Sequence, residues 1–207
     1  MSLTMTELER LKSILVHMAQ HIKRVLRVTE KLVAVSDVRQ REELWKEIED
    51  IATILERVRR EFVNEVLVFM ARRQPLGREL LTAHILISIA YDVYRISRYC
   101  REIARIDSML APSSGLSTVT NLSEAFKEAV KAVEVALSDL IEFSPKRVEI
   151  VKEFDTHIDD MYKTVLLEIT SSATVSREMA VKALIMRHIE RMVDHAQYIE
   201  QYLSELI

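Results

Sequence analysis

The chain carries two pairs of carboxylates at helical spacing. Glu190 and Asp194 lie four residues apart within the segment 187–196, and Asp155 and Asp159 repeat that spacing earlier in the chain. Residues four apart leave one face of a helix about a turn from each other. Two neighbouring helices that each present such a pair form either a hard-cation site or a surface on which like charges repel. Carboxylate oxygens alone favour Mg²⁺, Ca²⁺ or Mn²⁺.

Two histidines lie close to the second pair in the sequence. His195 follows Asp194 directly, and His188 precedes Glu190 by two positions. An imidazole ligand would move the metal preference towards Fe or Zn. The alternative is an ordinary solvated helix face, on which Arg191 supplies a neighbouring counter-charge. The spacing alone leaves both interpretations open.

Catalytic arrangements are scarce, and no enzyme is predicted. Two glycines far apart cannot form a phosphate-binding loop. Cys100 is the single cysteine and lies in a helical pattern, which favours a place in the core over a role as nucleophile. A remote alternative is a metal-dependent hydrolase built on the acidic pairs, which would need an open coordination position on the metal.

The composition predicts a helical protein. The 207 residues include only 2 Gly and 3 Pro, 49% are hydrophobic, and the apolar residues recur at steps of three and four. The net charge of -3 argues against nucleic-acid binding. The lone cysteine excludes an internal disulfide framework and favours a reducing compartment. The longest unbroken apolar run, 66–71, is too short to span a membrane, and no signal peptide is predicted.

Six helices are predicted from periodicity and from start and stop signals. Ser36 or Asp37 is expected to cap the second helix, Asn121 the fourth, and Pro145 is expected at the first position of the fifth. A break at 74–77 separates the second helix from the third. The expected helices cover about 6–35, 39–72 and 78–110, then begin near 122, at 144–145 and after 176–178.

The only long loop-like stretch covers residues 111–121. We therefore predict a domain at 1–110, a linker at 111–121 and a second domain at 122–207. The second and third helices resemble the fifth and sixth in pattern, which predicts an internal repeat. Short connections make neighbouring helices antiparallel. The predicted fold is all-α, with two tandem antiparallel three-helix bundles.

Two segments resemble the motifs of the PhoU family. The turn 73–75 (Arg-Gln-Pro), followed by Glu79-Leu80 and Asp92-Val93, resembles the first repeat, in which such a turn leads into a helix with a Glu-Arg-Ile-Gly-Asp motif. The segment 190–196 (Glu-Arg-Met-Val-Asp-His-Ala) resembles that motif in the second repeat. Length, helix order and linker position also fit, so the resemblance covers nearly the whole chain.

The resemblance implies a cytoplasmic negative regulator of phosphate uptake and phosphate signalling. Such proteins act on a phosphate transporter subunit or a sensor kinase, so membrane association would be peripheral and through the partner, and a homodimer is plausible. Family members bind metal clusters, often iron or zinc, on the acidic faces of the repeats. In this chain the resemblance places a metal at Asp155, Asp159, Glu190 and Asp194. The alternative function is an accessory regulator of another transporter, such as a cation or Pit-type phosphate carrier.

The first repeat departs from the family pattern. The family's glutamate falls on Tyr94 and its aspartate on Arg98, while Asp50 and Glu56 are acidic on the partner helix. A phenol and a guanidinium cannot replace two carboxylates around a cation. We therefore expect metal in the second repeat only, and we expect Arg98 to pair with Glu56 across the second and third helices.

Arginines crowd one face of the third helix. Arg98, Arg101 and Arg105 lie three or four residues apart. An ion-paired surface that uses Glu56 and Glu102 is the favoured interpretation. The alternative is a basic contact for an acidic partner or for anionic lipid headgroups.

Overall fold

The computed structural model describes residues 3–110 and 115–206, with side chains from residue 7 onward. Within those ranges the secondary structure is helical throughout, which confirms the predicted all-α class and the six predicted helices. The helices are α1 Leu3–Ala34, α2 Val38–Arg73, α3 Arg78–Ser108, α4 Leu122–Glu142, α5 Val148–Ser171 and α6 Arg177–Glu205, with a short 3₁₀ turn at Leu116–Thr118.

Short-range capping fixes the starts of α2 and α6. The Asp37 carboxylate accepts the backbone N–H of Gln40 at 2.9 Å. The Ser176 hydroxyl accepts the backbone N–H of Met179 at 3.1 Å. Each bond satisfies a donor that the first helical turn would otherwise leave unpaired. Of the two caps predicted for α2, Asp37 is confirmed and Ser36 is not.

The start of α5 differs from the prediction. The helix begins at Val148 and not at Pro145. The buried Asp139 carboxylate accepts the backbone N–H groups of Lys146 and Arg147 at 2.6 and 2.7 Å, which holds this segment outside the helix. Asn121 does precede α4, but its side chain makes no capping bond. It adopts φ 63°, a left-handed conformation that asparagine tolerates better than most residues.

Helices α1, α2 and α3 pack together, α4, α5 and α6 pack together, and α3 lies against α6 while α1 lies against α4. Asp92 contacts His195 and Tyr99 contacts His188, so α3 and α6 run antiparallel. One continuous apolar core fills the space between the helices. The predicted domain limits at residues 110 and 122 stay a prediction.

Burial follows the same pattern in the two halves. Buried side chains recur every seventh residue on α2 and on α5. Adding one constant to the residue numbers of α2 aligns its series with that of α5. The same shift superposes the buried stripes of α3 and α6. This shared pattern supports the predicted internal repeat. The superposed residues of α2 and α5 are Leu55, Phe62 and Phe69 with Val151, Ile158 and Val165.

A buried ion pair anchors the chain where it leaves α3. Asp107 Oδ2 accepts bonds from Arg41 Nε at 2.9 Å and Trp45 Nε1 at 2.8 Å, and Asp107 Oδ1 accepts the backbone N–H of Leu116 at 2.9 Å. A Cβ at Gly115 would lie 2.8 Å from Arg41 Cζ, so this position leaves no room for a side chain. Residues 111–114 of the predicted linker lie outside the described residues.

None of the helices in the described ranges combines the length and the hydropathy needed to cross a membrane.

Candidate functional site

The structure brings the four predicted acidic residues to one boundary between helices. Asp155 and Asp159 lie on α5, and Glu190 and Asp194 lie on the adjacent α6. Burial is the largest cause of a raised pKa at Asp155, and the negative charges of Asp194 and Asp159 raise that pKa further. Burial also raises the pKa of Glu190, with the charges of Asp194 and Asp159 contributing in the same direction. The two pairs therefore share one electrostatic environment, as predicted.

Basic side chains of the same two helices already compensate part of this negative charge. Three of the four carboxylates form an ion pair with an arginine or lysine three or four positions away on the same helix. Because these N···O distances are those of normal ion pairs, the carboxylates do not only repel one another. The pairs are Arg187 Nη1 with Glu190 Oε1 at 2.7 Å, Arg191 Nη1 with Asp194 Oδ2 at 2.8 Å and Lys163 Nζ with Asp159 Oδ2 at 2.9 Å.

The oxygens that remain fit a hard cation by their chemistry. Glu190 Oε2 is buried without a hydrogen-bond partner. Arg191 Nε lies 3.7 Å from this oxygen. At Asp155, burial and the neighbouring carboxylates all raise the pKa, so no nearby positive charge stabilises the ionised carboxylate there. Across the described residues, however, no three His, Cys, Asp or Glu side chains stand close enough together to form a metal site. A bound cation would require these side chains to converge further.

The two nearby histidines serve a different interface. His195 Nδ1 is 2.7 Å from Asp92 Oδ1 on α3, and both side chains are buried. The Tyr99 ring on α3 stacks against His195 with centroids 5.7 Å apart, and it also contacts His188 at 5.8 Å. Burial is the main cause of a lowered pKa at His188. Both imidazoles therefore contact α3, and the donor set between α5 and α6 consists of carboxylates.

The first repeat compensates its charges with a different arginine from the one predicted. Glu56 Oε2 pairs with Arg101 Nη2 at 3.7 Å, and Arg101 Nη1 also reaches Glu49 at 3.2 Å. Among the described residues Arg98 makes no ion pair with Glu56, so the predicted pairing is wrong. Arg101 lies about one helical turn further along α3, on the side that faces α2. Arg105 pairs with Glu102 at 2.7 Å, as an ion-paired surface requires.

The repeat shift also identifies the counterparts of the acidic residues. The shift that superposes Leu55 on Val151 places Arg59, Val63, Tyr94 and Arg98 where the second repeat has Asp155, Asp159, Glu190 and Asp194. Asp50 and Glu56, which the sequence suggested, are therefore not the counterparts on α2. The Arg59 guanidinium lies over the Tyr94 ring, 5.0 Å from its centroid. The first repeat thus carries a cation–π pair at the site where the second carries carboxylates.

Sequence reasoning missed the charged residues buried inside the fold. Asp92, Asp139 and Glu200 are 3%, 0% and 0% exposed. Each lies on the apolar stripe of its helix, and a charged residue on such a stripe is the available sequence signal. That signal marks a buried polar contact but does not name the partner.

Comparison with known proteins finds similarity to one family. Residues 15–106 match the sequence model of the PhoU domain. The predicted resemblance to the PhoU family is thereby confirmed. A relative from Synechocystis sp., named phosphate-specific transport system accessory protein PhoU homolog, is 25% identical over 164 residues, which cover 77% of this chain and 73% of the relative. A relative of the same name from Deinococcus radiodurans is 21% identical over 166 residues, covering 78% of each.

Solved PhoU structures share the fold. PhoU from Pseudomonas aeruginosa superposes with a TM-score of 0.79 at 21% identity and covers 97% of each chain. The phosphate transport system regulatory protein PhoU from Streptococcus pneumoniae superposes with a TM-score of 0.81 at 16% identity, over 98% of this chain and 96% of that one. This agreement confirms the predicted fold class for this chain.

Proposed function

We propose that this chain is a regulatory accessory protein of phosphate transport and phosphate signalling. The observation that carries the proposal is the match of residues 15–106 to the PhoU domain. The names of the curated relatives and the agreement in fold along nearly the whole chain support it. The protein acts without catalysis, by contact with a phosphate transporter subunit or a sensor kinase at the cytoplasmic face of the membrane. A homodimer, which sedimentation velocity can detect, is part of this proposal.

The acidic boundary between α5 and α6 has a role in the proposal. Asp155, Asp159, Glu190 and Asp194 would hold a hard divalent cation, which would neutralise their charge and tie α5 to α6. The orphaned Glu190 Oε2 and the raised pKa of Asp155 support this role. The Arg191 guanidinium forms an ion pair with the Asp194 carboxylate, so a bound cation would compete with Arg191 for that carboxylate. The first repeat, with Arg59 over Tyr94, holds no such cation.

Metal binding gives the first testable prediction. We expect Mn²⁺ to raise the melting temperature of the metal-free protein, because the cation relieves repulsion among the four carboxylates. An Asp155→Asn, Asp194→Asn double variant should lose that rise and melt higher without metal. Asp160→Asn is a matched control, since Asp160 is exposed on the same helix. Isothermal titration with Mn²⁺ measures the affinity directly, and full binding by the double variant would contradict the assignment.

Partner contact is tested by co-purification from the cells in which the protein occurs. The tagged protein is cross-linked and recovered from phosphate-rich and phosphate-starved cultures. We expect phosphate-transporter or sensor-kinase subunits, in amounts that change with phosphate. Recovery of a different transporter would instead support an accessory role for a cation or Pit-type carrier. Absence of any membrane partner in both media would contradict the proposal.

A further inference from the structure

The turn between α2 and α3 exposes an apolar surface at one end of the molecule. Leu76, at the apex, is 82% exposed, and Leu80 and Leu81 in the first turn of α3 are 39% and 44% exposed. Leu67 and Val68, near the end of α2, are each 51% exposed. A group of large exposed apolar side chains at one end of a protein is typical of a contact surface, whereas single exposed leucines are not.

The backbone of this turn is fixed in the conformation that presents Leu76. Gln74 has φ 46° and closes α2 with a backbone bond of 2.9 Å to a carbonyl one turn earlier. Pro75 is buried against the bundle. Gly77 has φ +58°, a conformation that favours glycine, and its carbonyl accepts the backbone N–H of Leu81 at 3.1 Å. Leu76 is therefore held outward by an ordered turn.

Basic residues lie on both sides of Leu76 in the sequence. Arg72, Arg73 and Arg78 flank the turn, and Glu79 is the acidic residue of the segment 72–81. Arg73 Nε contacts Glu7 at 2.9 Å, and this exposed pair is weak enough to exchange with another anion. The segment 72–81 thus combines protruding leucines with a net positive charge, while Glu7 and Glu65 lie beside Arg72.

We propose that the α2–α3 turn binds directly to an anionic lipid surface. The leucines enter the boundary between headgroups and acyl chains, and the guanidinium groups contact lipid phosphates above them. In a bilayer the charged phosphates lie just outside the hydrocarbon, so arginines beside protruding apolar side chains can contact phosphates while the apolar side chains enter the hydrocarbon. This contact needs no protein partner, so it goes beyond the proposed function and supplies an independent attachment to the membrane.

The turn between α5 and α6 offers a matched comparison. It also exposes large apolar side chains, with Leu167 68% and Val175 51% exposed. In the segment 168–178 Arg177 is the one basic residue and stands with the acidic Glu168 and Glu178, so this turn lacks a net positive charge. Since α3 and α6 run antiparallel, this turn lies at the opposite end of the molecule. Of these two turns, the α2–α3 turn has the charge that complements anionic lipid.

Vesicle flotation with the purified full chain tests the proposal without any transporter. We expect binding to phosphatidylglycerol-containing vesicles and not to pure phosphatidylcholine vesicles, with a loss of binding as salt rises. Leu76→Ser should weaken binding about tenfold and Arg72→Gln about fivefold. Leu167→Ser, at the opposite end, should bind like the unchanged protein. Thermal melting of each variant confirms that the exposed substitutions leave the fold intact.

A fluorophore reports which end enters the lipid. Cys100 is fully buried, so an environment-sensitive thiol probe labels an introduced cysteine selectively. We expect a blue shift with anionic vesicles for the probe on Leu76→Cys and none for the probe on Leu167→Cys. The proposal is overturned by absence of binding to anionic vesicles, by equal binding to neutral ones, or by equal effects at the two ends. The partner-contact proposal can hold in each of those cases, because it is tested separately.

Discussion

Replacing Asp107 with alanine should lower the free energy of unfolding by about 3–5 kcal/mol. Arg41 is 1% exposed and Asp107 0%, so the variant leaves a guanidinium buried without its carboxylate. Trp45 Nε1 and the backbone N–H of Leu116 lose their acceptors in the same step. Both helix α3 and the chain segment that follows it are tied to this carboxylate. Urea unfolding followed by circular dichroism measures the loss.

An exposed ion pair provides the control for this prediction. Arg24 and Glu47 contact each other at 2.7 Å, but their side chains are 63% and 37% exposed. Glu47→Ala should therefore cost less than about 1 kcal/mol. In an Arg41→Ala, Asp107→Ala double variant the two losses should not add, because each single change removes the same buried contact. A loss at Asp107 as small as the loss at Glu47 would contradict the assigned anchor.

Helix boundaries could be predicted where the deciding bond is local. Asp37 and Ser176 each accept an N–H three residues ahead, and the break at Gln74–Gly77 depends on residues within the turn itself. The start of α5 could not be predicted, because Asp139 acts on backbone groups seven and eight residues away. Proline preference alone gives no indication of that longer-range bond.

The candidate site follows the same division. The spacing of Glu190 and Asp194 predicted their shared face, and their arginine partners lie three positions away on the same helix. The pairing of His195 with Asp92 joins residues far apart in the chain, and only the packing of α3 on α6 brings them together. Similarly, helix register decides that Arg101 rather than Arg98 meets Glu56. The periodicity of apolar residues predicts which helix face a side chain lies on, but it does not predict which residue of the neighbouring helix that side chain contacts.

A buried carboxyl pair should make stability fall as the pH rises. Glu200 is 0% exposed beside the equally buried Asp139, and neither oxygen of its carboxyl group meets a donor. Burial first, and then the charge of Asp139, raise the pKa of Glu200 to about 8. The folded protein therefore keeps a proton on Glu200, which this group can donate to Asp139. The unfolded chain releases that proton at the ordinary glutamate pKa of about 4.3.

The sign of the effect follows from proton linkage. Between about pH 4.3 and 8 the folded state binds one more proton at Glu200 than the unfolded state, so this group lowers stability by up to about 1.4 kcal/mol per pH unit in that range. Glu200→Gln retains a donor for Asp139 without the titration. The difference in melting temperature between this variant and the unchanged protein should increase in favour of the variant from pH 5 to pH 8. Glu205→Gln, exposed on the same helix, should show no such gain. A constant difference between Glu200→Gln and the unchanged protein across that range would show that Glu200 is ionised in the folded state.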